Sequence, residues 1–313
     1  MKFASVIALA GLVVTCAPAQ AWFGFGHMEV AAVAWSKLTP TARAKATQLI
    51  MRNPLYSTWI MGVPASQRDR TAFVMAATWP DIIKGLSDYQ NDGPERGNRP
   101  PPGPEASQNI GYADHLRHKY WHFIDLPLKA DTTPTRPEDV PNAQTRIADF
   151  RAALANPATS DDIKSYDLVW LLHLVGDVHQ PLHATSRFTA AHTNGDSGGN
   201  DVKIVCGGKC NAKELHAFWD GVVGDDEKPR PAINAAQRLP AANAALASIT
   251  DEKVWIDESF KAAKASVYVA PIGTADRTFT LTGSYKSKAL RLGKQRVALG
   301  GARLARLLND ALR

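Results

Sequence analysis

The segment His173-Leu-Val-Gly-Asp177-Val-His179-Gln-Pro-Leu-His183 constrains the fold of this chain more than any other. His173 and Asp177 are spaced i, i+4, so a helix projects both from one face. Around them Leu168, Val169, Leu171, Leu172, Leu174, Val175 and Val178 make the helix apolar nearly all round, the mark of a buried element. Pro181 ends the helix within a residue or two and leaves His183 on the turn beyond. Titratable groups are costly to bury without a partner. A lone histidine here would read as a core residue bonded to a carbonyl. Several ligand-type groups so close together point to a cation instead.

Other segments repeat the pattern. In Glu214-Leu-His216-Ala-Phe-Trp-Asp220 a second His/Asp pair stands at i, i+4, and Leu215, Phe218 and Trp219 argue against a merely exposed ion pair. Trp79-Pro80-Asp81 and Trp121-His122-Phe123-Ile124-Asp125 each set a ligand-type side chain among large apolar residues. His115, His118 and His192 read as surface residues, and His179 as a support for a neighbouring ligand.

The first 21 residues read as an export signal: Lys2, an apolar run from Phe3 to Val14, and an Ala19-Gln20-Ala21 cleavage site. The run is too short to span a bilayer. Acylation on Cys16 is a rival reading, but Val13-Val14-Thr15 matches a lipid-attachment site poorly. Cleavage would leave residues 22–313 in the periplasm or outside the cell. The new amine, on Trp22 of Trp22-Phe-Gly-Phe-Gly-His27, has a pKa of about 8, so a metal can displace its proton. Cys206 and Cys210 would then be the remaining thiols, and in an oxidising compartment they read as a disulfide closing a small loop.

The organisation is mainly α and of one domain, 22–313, since no linker is long enough to force a boundary. Helical periodicity covers 27–52, 70–83, 142–156, 160–180, 211–222, 234–248, 251–267 and 284–312, and only 202–205 looks extended. Loops rich in turn residues interrupt at 85–104, 128–141 and 186–200. Formal net charge is +6, a weak preference for anionic partners. Lys286, Lys288, Arg291, Lys294, Arg296, Arg303 and Arg306 read as the solvated basic face of the last helix.

Taken in order, WxxxxH, WPD, HFID, HxxxDxxxxxH, GGN and HAFWD resemble the trinuclear-zinc nucleases: the fungal single-strand-specific enzymes, the plant bifunctional nucleases and their bacterial relatives. The resemblance implies a multi-helix fold with long loops, of the type shared with zinc phospholipase C, and a monomer holding three Zn²⁺. One zinc would take Asp81, His122, His173 and Asp177. A second would take the amine and carbonyl of Trp22, His27 and the other oxygen of Asp177. The third would take His183, His216 and Asp220.

The resemblance also implies hydrolysis of single-stranded DNA or RNA to 5′-phosphate products, with 3′-nucleotidase activity. Asp81, Lys84 and Asp177 would serve the reaction. Phe123 would stack on a base, Asp125 would bond its edge, and Asn200 is grouped with them as substrate-binding. Core packing is the competing reading for Phe123. Lys84 stands where family members often carry arginine, which keeps the charge but loses the bidentate fork. Two rivals stand beside this reading. Zinc phospholipases C share the metal cage, but carry Glu where Asp220 stands and lack HFID. A non-catalytic exported zinc-binding protein would bind metal without turnover.

Overall fold

A computed structural model describes residues 22–93 and 99–313. The export signal read at 1–21 lies outside them. The helix Asp161–Asp177 runs through the centre, capped by Ser160, whose hydroxyl accepts the Ile163 N–H. From Ser165 to Asp177 every residue is buried. Each buried Leu or Val there stabilises by roughly 1.5–3 kcal/mol. Other helices surround it: Gly24–Lys37, Pro40–Ile50, Trp79–Ile82, Ala143–Ala155 and Gly283–Ala311.

The architecture is mainly α. Strands are short and paired in twos: Pro127–Lys129 lies parallel to Ser186–Phe188, and Ile204–Val205 parallel to Phe279–Thr280. The second pair includes part of the extended segment expected at 202–205. A main core gathers Trp22, Trp79, Trp121 and Trp170, and a smaller one gathers Leu182, Leu215, Trp219 and Tyr285. Among the described residues no helix is long and apolar enough to cross a membrane.

Several expected helices are divided. The 27–52 pattern splits into Gly24–Lys37 and Pro40–Ile50, because Leu38 is extended before Thr39, which caps the second helix ahead of Pro40. The 70–83 pattern splits into Arg68–Ala76 and Trp79–Ile82, with Pro80 in the first turn of the second. The 234–248 pattern becomes Pro229–Ala236 and Ala244–Ala247, with Pro240 between them. Tyr56–Ile60 is helical although no periodicity marked it.

The last helix, Gly283–Ala311, packs along Gly24–Lys37. Gly301 permits the close approach, since a Cβ there would lie 2.5 Å from Val33 Cβ. Two residues expected on its solvated basic face are buried: Arg296 and Arg303. Both ion-pair with Glu258, at 3.1 and 2.7 Å, a compensation that burial of a guanidinium requires. Lys288, Arg291, Lys294 and Arg306 are exposed as expected.

Candidate metal centre

Four elements deliver the ligand-type groups. Gly24–Lys37 carries His27, Trp79–Ile82 carries Asp81, Asp161–Asp177 carries His173 and Asp177, and Leu215–Asp220 carries His216 and Asp220. Two single turns add His122 and His183. All of these side chains are buried. They form three groups whose ligand atoms lie within 4.8 Å of one another: His27, Asp81 and His173; His122, His173 and Asp177; His183, His216 and Asp220.

Backbone carbonyls fix how three imidazoles face. His173 Nδ1 donates to Ala77 O, His183 Nδ1 to His122 O, and His216 Nδ1 to Gly198 O, each at 2.7 Å. A carbonyl can only accept, so each Nδ1 carries a proton. Burial lowers His183 and His216, which leaves their Nε2 atoms as lone pairs turned inward, whereas at His173 burial is outweighed by Asp177 and Asp81, which raise it. His183 Nε2 and His216 Nε2 then face each other at 3.1 Å. Two lone pairs at that distance repel unless a cation lies between them. His173 Nε2 meets His122 Nδ1 at 2.9 Å.

Asp177 is the shared group. Its Oδ1 lies 3.3 Å from His27 Nε2, and its Oδ2 lies 3.2 Å from both His122 Nδ1 and His173 Nε2. Lys84 Nζ donates to Asp81 Oδ1 at 2.7 Å. Burial pushes Asp81 up, yet Lys84 and the nearby imidazoles hold it below the usual carboxylate range. Burial pushes His27 down to about 4, and His122 and His216 down to about 3, so their rings are neutral near pH 7 and free to ligate.

The donor set fits divalent metal. Asp81 Oδ2, Asp177 Oδ1, Asp220 Oδ2 and His27 Nε2, all turned toward the centre, are buried without a hydrogen-bond partner. Buried polar atoms are rarely left so. Imidazole and carboxylate with no thiolate suit zinc, without excluding other first-row ions.

The sequence profile described as S1/P1 Nuclease matches residues 22–313. This chain belongs to the S1/P1 nuclease family. A search of curated proteins finds no match. As a member of a metal-dependent nuclease family, the protein is a hydrolase of phosphodiester bonds with nucleic acid as its substrate.

Trp22 and Phe23 of this nuclease reach the centre from two sides. Trp22 is buried, its indole donates to Gly176 O at 3.0 Å, and Phe23 N–H donates to Asp220 O at 3.0 Å. Next in the chain to His122, a small surface recess is lined by Phe123, Asp125, Tyr120, Asp139 and Pro141. Phe123 is half-buried and also packs against the main core. Burial, with Asp196 and Asp139 nearby, pushes the Asp125 carboxyl up to about 7, against the pull of Arg136. Asn200 turns its amide onto its own loop, donating to Ser197 O at 2.7 Å. Cys206 and Cys210 form the expected disulfide, with Cα atoms 5.8 Å apart.

Two histidines differ from expectation. His118 is buried rather than on the surface. Its Nδ1 lies 2.6 Å from Asp92 Oδ2 and its Nε2 2.7 Å from Asp114 Oδ2, and its ring stacks on Trp121 at 3.5 Å. Facing a carboxylate at each nitrogen, it is held as a cation. His179 touches no candidate ligand side chain: Nδ1 donates to Val175 O, and Nε2 accepts from Arg303. His115 is exposed and His192 half-exposed.

The sequence motifs contain Gly198 and Gln180 but give neither a role. Gly198 has φ +62°, and a Cβ there would lie 2.6 Å from Leu182 O, so the carbonyl that orients His216 depends on glycine. The Gly-Gly pair before Asn200 was the available signal. Gln180, beside His179 in the same motif, carried none.

Proposed function

We propose that this protein is an exported zinc-dependent phosphodiesterase that cleaves single-stranded DNA and RNA, and removes the phosphate of 3′-nucleotides. Residues 22–313 would act as one monomeric domain after release of the signal at residues 1–21. The observation that carries the reading is the His183–His216 contact, where two inward lone pairs demand a cation, next to a carboxylate shared between two further groups.

Three zinc ions fit these donors. Asp81, His122, His173 and Asp177 would hold one, and Trp22, His27 and Asp177 the next. His183, His216 and Asp220 would hold the third. When bound, zinc lowers the pKa of water to about 7 and offsets the charge that grows on a phosphodiester. Lys84, fixed on Asp81, adds a positive charge for the phosphoryl oxygens. Phe123 offers a face on which any base can stack, worth roughly 1–3 kcal/mol, and Asp125 offers its carboxyl to the base edge. A base seated there is out of a duplex, which favours single strands; breaking the bond from phosphorus to the 3′-oxygen would leave 5′-phosphate products. Asn200 is the remaining substrate contact in this reading.

The deciding experiment compares single-stranded DNA, RNA, a 3′-nucleotide and phosphatidylcholine as substrates of correctly processed protein. Hydrolysis of the first three should stop with EDTA and return with zinc. Cleavage of the lipid alone would favour a phospholipase C, and metal without turnover would leave only a binding protein.

A further inference from the structure

Gln180 contacts three of the candidate ligand residues at once. Its backbone N–H donates to Asp177 O at 2.8 Å, and its carbonyl accepts the His183 N–H at 3.0 Å. Its side chain crosses to a different element, where Nε2 meets Asp220 Oδ1 at 2.7 Å. The residue is fully buried. The amide orientation follows from chemistry: Leu182 N–H lies 2.5 Å from the other end of the amide and can only donate, so that end is Oε1. The NH₂ group is therefore the one on Asp220.

We propose that Gln180 is the positioning residue of the third metal site, selecting which oxygen of Asp220 is presented to the ion. With Oδ1 held by the amide, Oδ2 is left unpartnered, 3.3 Å from His216 Nε2. Rotation of the carboxylate would break the Gln180 bond between two fully buried groups. Glutamine suits the place because it must donate to Asp220 and accept from Leu182 while carrying no charge. Glutamate would offer only acceptors, and lysine only donors. The turn itself is braced from behind, since Ser259 Oγ donates to Val178 O at 2.5 Å and Arg296 Nε to His179 O at 3.1 Å. Gln180 thereby ties the His183–His216–Asp220 group to the Asp177 group through one side chain.

This inference rests on the trinuclear zinc reading, and zinc content separates the two. Gln180→Met and Gln180→Asn are compared with the native protein by elemental analysis across buffered free-zinc concentrations. The native protein should hold three zincs. Each variant should bind two as before and the third about 10–100-fold more weakly, the usual effect of losing a partner behind a ligand. Its kcat should fall with third-site occupancy and recover as free zinc is raised. Three zincs of native affinity in both variants would overturn the assignment. So would joint loss of all three ions from both, which would make Gln180 a support of the whole turn. Gln180→Asn covers the case in which Gln180→Met fails to fold. Fewer than three zincs in the native protein would instead sink the reading beneath it.

Discussion

Asp177 and His27 come from helices far apart in the chain, yet Asp177 Oδ1 stands 3.3 Å from His27 Nε2 while Oδ2 serves His122 and His173. One carboxylate thus faces two groups of imidazoles. Asp177→Asn replaces one of its oxygens by a donor that cannot ligate and removes the charge. The variant should lose two zincs together and more than about a hundredfold of activity, since a ligand should matter at least as much as the groups behind it. Zinc counting on the folded variant checks this, and loss of a single ion would break the proposed bridge.

The Trp22 indole on Gly176 O and the Phe23 N–H on Asp220 O hold the start of the described chain against both ligand helices. An amine released at Trp22 would begin life between them. Protein carrying even a few residues before Trp22 should hold one zinc fewer and lose most of its activity. Removal of the extension should restore both. Full activity and three zincs in the extended protein would refute the chelate.

Lys84 is buried and bonded to Asp81 Oδ1, leaving Oδ2 of that carboxylate for a metal. Lys84→Ala should keep its zinc but lower kcat by about 100-fold, the scale of removing one charge-stabilising donor. Lys84→Arg restores the charge and adds a fork, so it should stay active. Steady-state kinetics with a 3′-nucleotide distinguish the two, and equal kcat for Lys84→Ala and the native enzyme would remove Lys84 from the reaction.

The ligand-type residues were legible because their signal is local: His and Asp at i, i+4 among Leu, Val and Trp. Mainly helical character was legible from the same periodicity. What escaped was tertiary. Periodicity placed Arg296 and Arg303 on a basic face but could not show that Glu258 comes from another helix to meet them. The carbonyls of Ala77, His122 and Gly198, which turn three imidazoles inward, are backbone atoms with no residue-type signature. Pro40 and Pro240 were visible breakers, overruled by long apolar patterns on either side.

His118 escaped for the same reason, since Asp92 and Asp114 reach it only through the folding of loops. Its proton is held more tightly in the folded state. Burial opposes the charge, but the bonds to Asp114 and Asp92 prevail and raise the pKa. Asp92 is shifted the other way: burial raises it, and His118 with Tyr120 more than compensates and lowers it. A raised histidine stabilises fully below its unfolded value, about 6.5, and less as pH climbs through the folded value. A lowered aspartate stabilises fully above about 3.9 and less as pH falls through its folded value. The clasp therefore contributes most between about pH 4 and 6.5. His118→Gln should cost roughly 3–5 kcal/mol in that window, because two buried carboxylates lose their cation. The gap to the native protein should narrow toward pH 9. Thermal unfolding of both proteins from pH 5 to 9 measures it, and a gap that stays constant or widens with pH would show that His118 is not held as a cation.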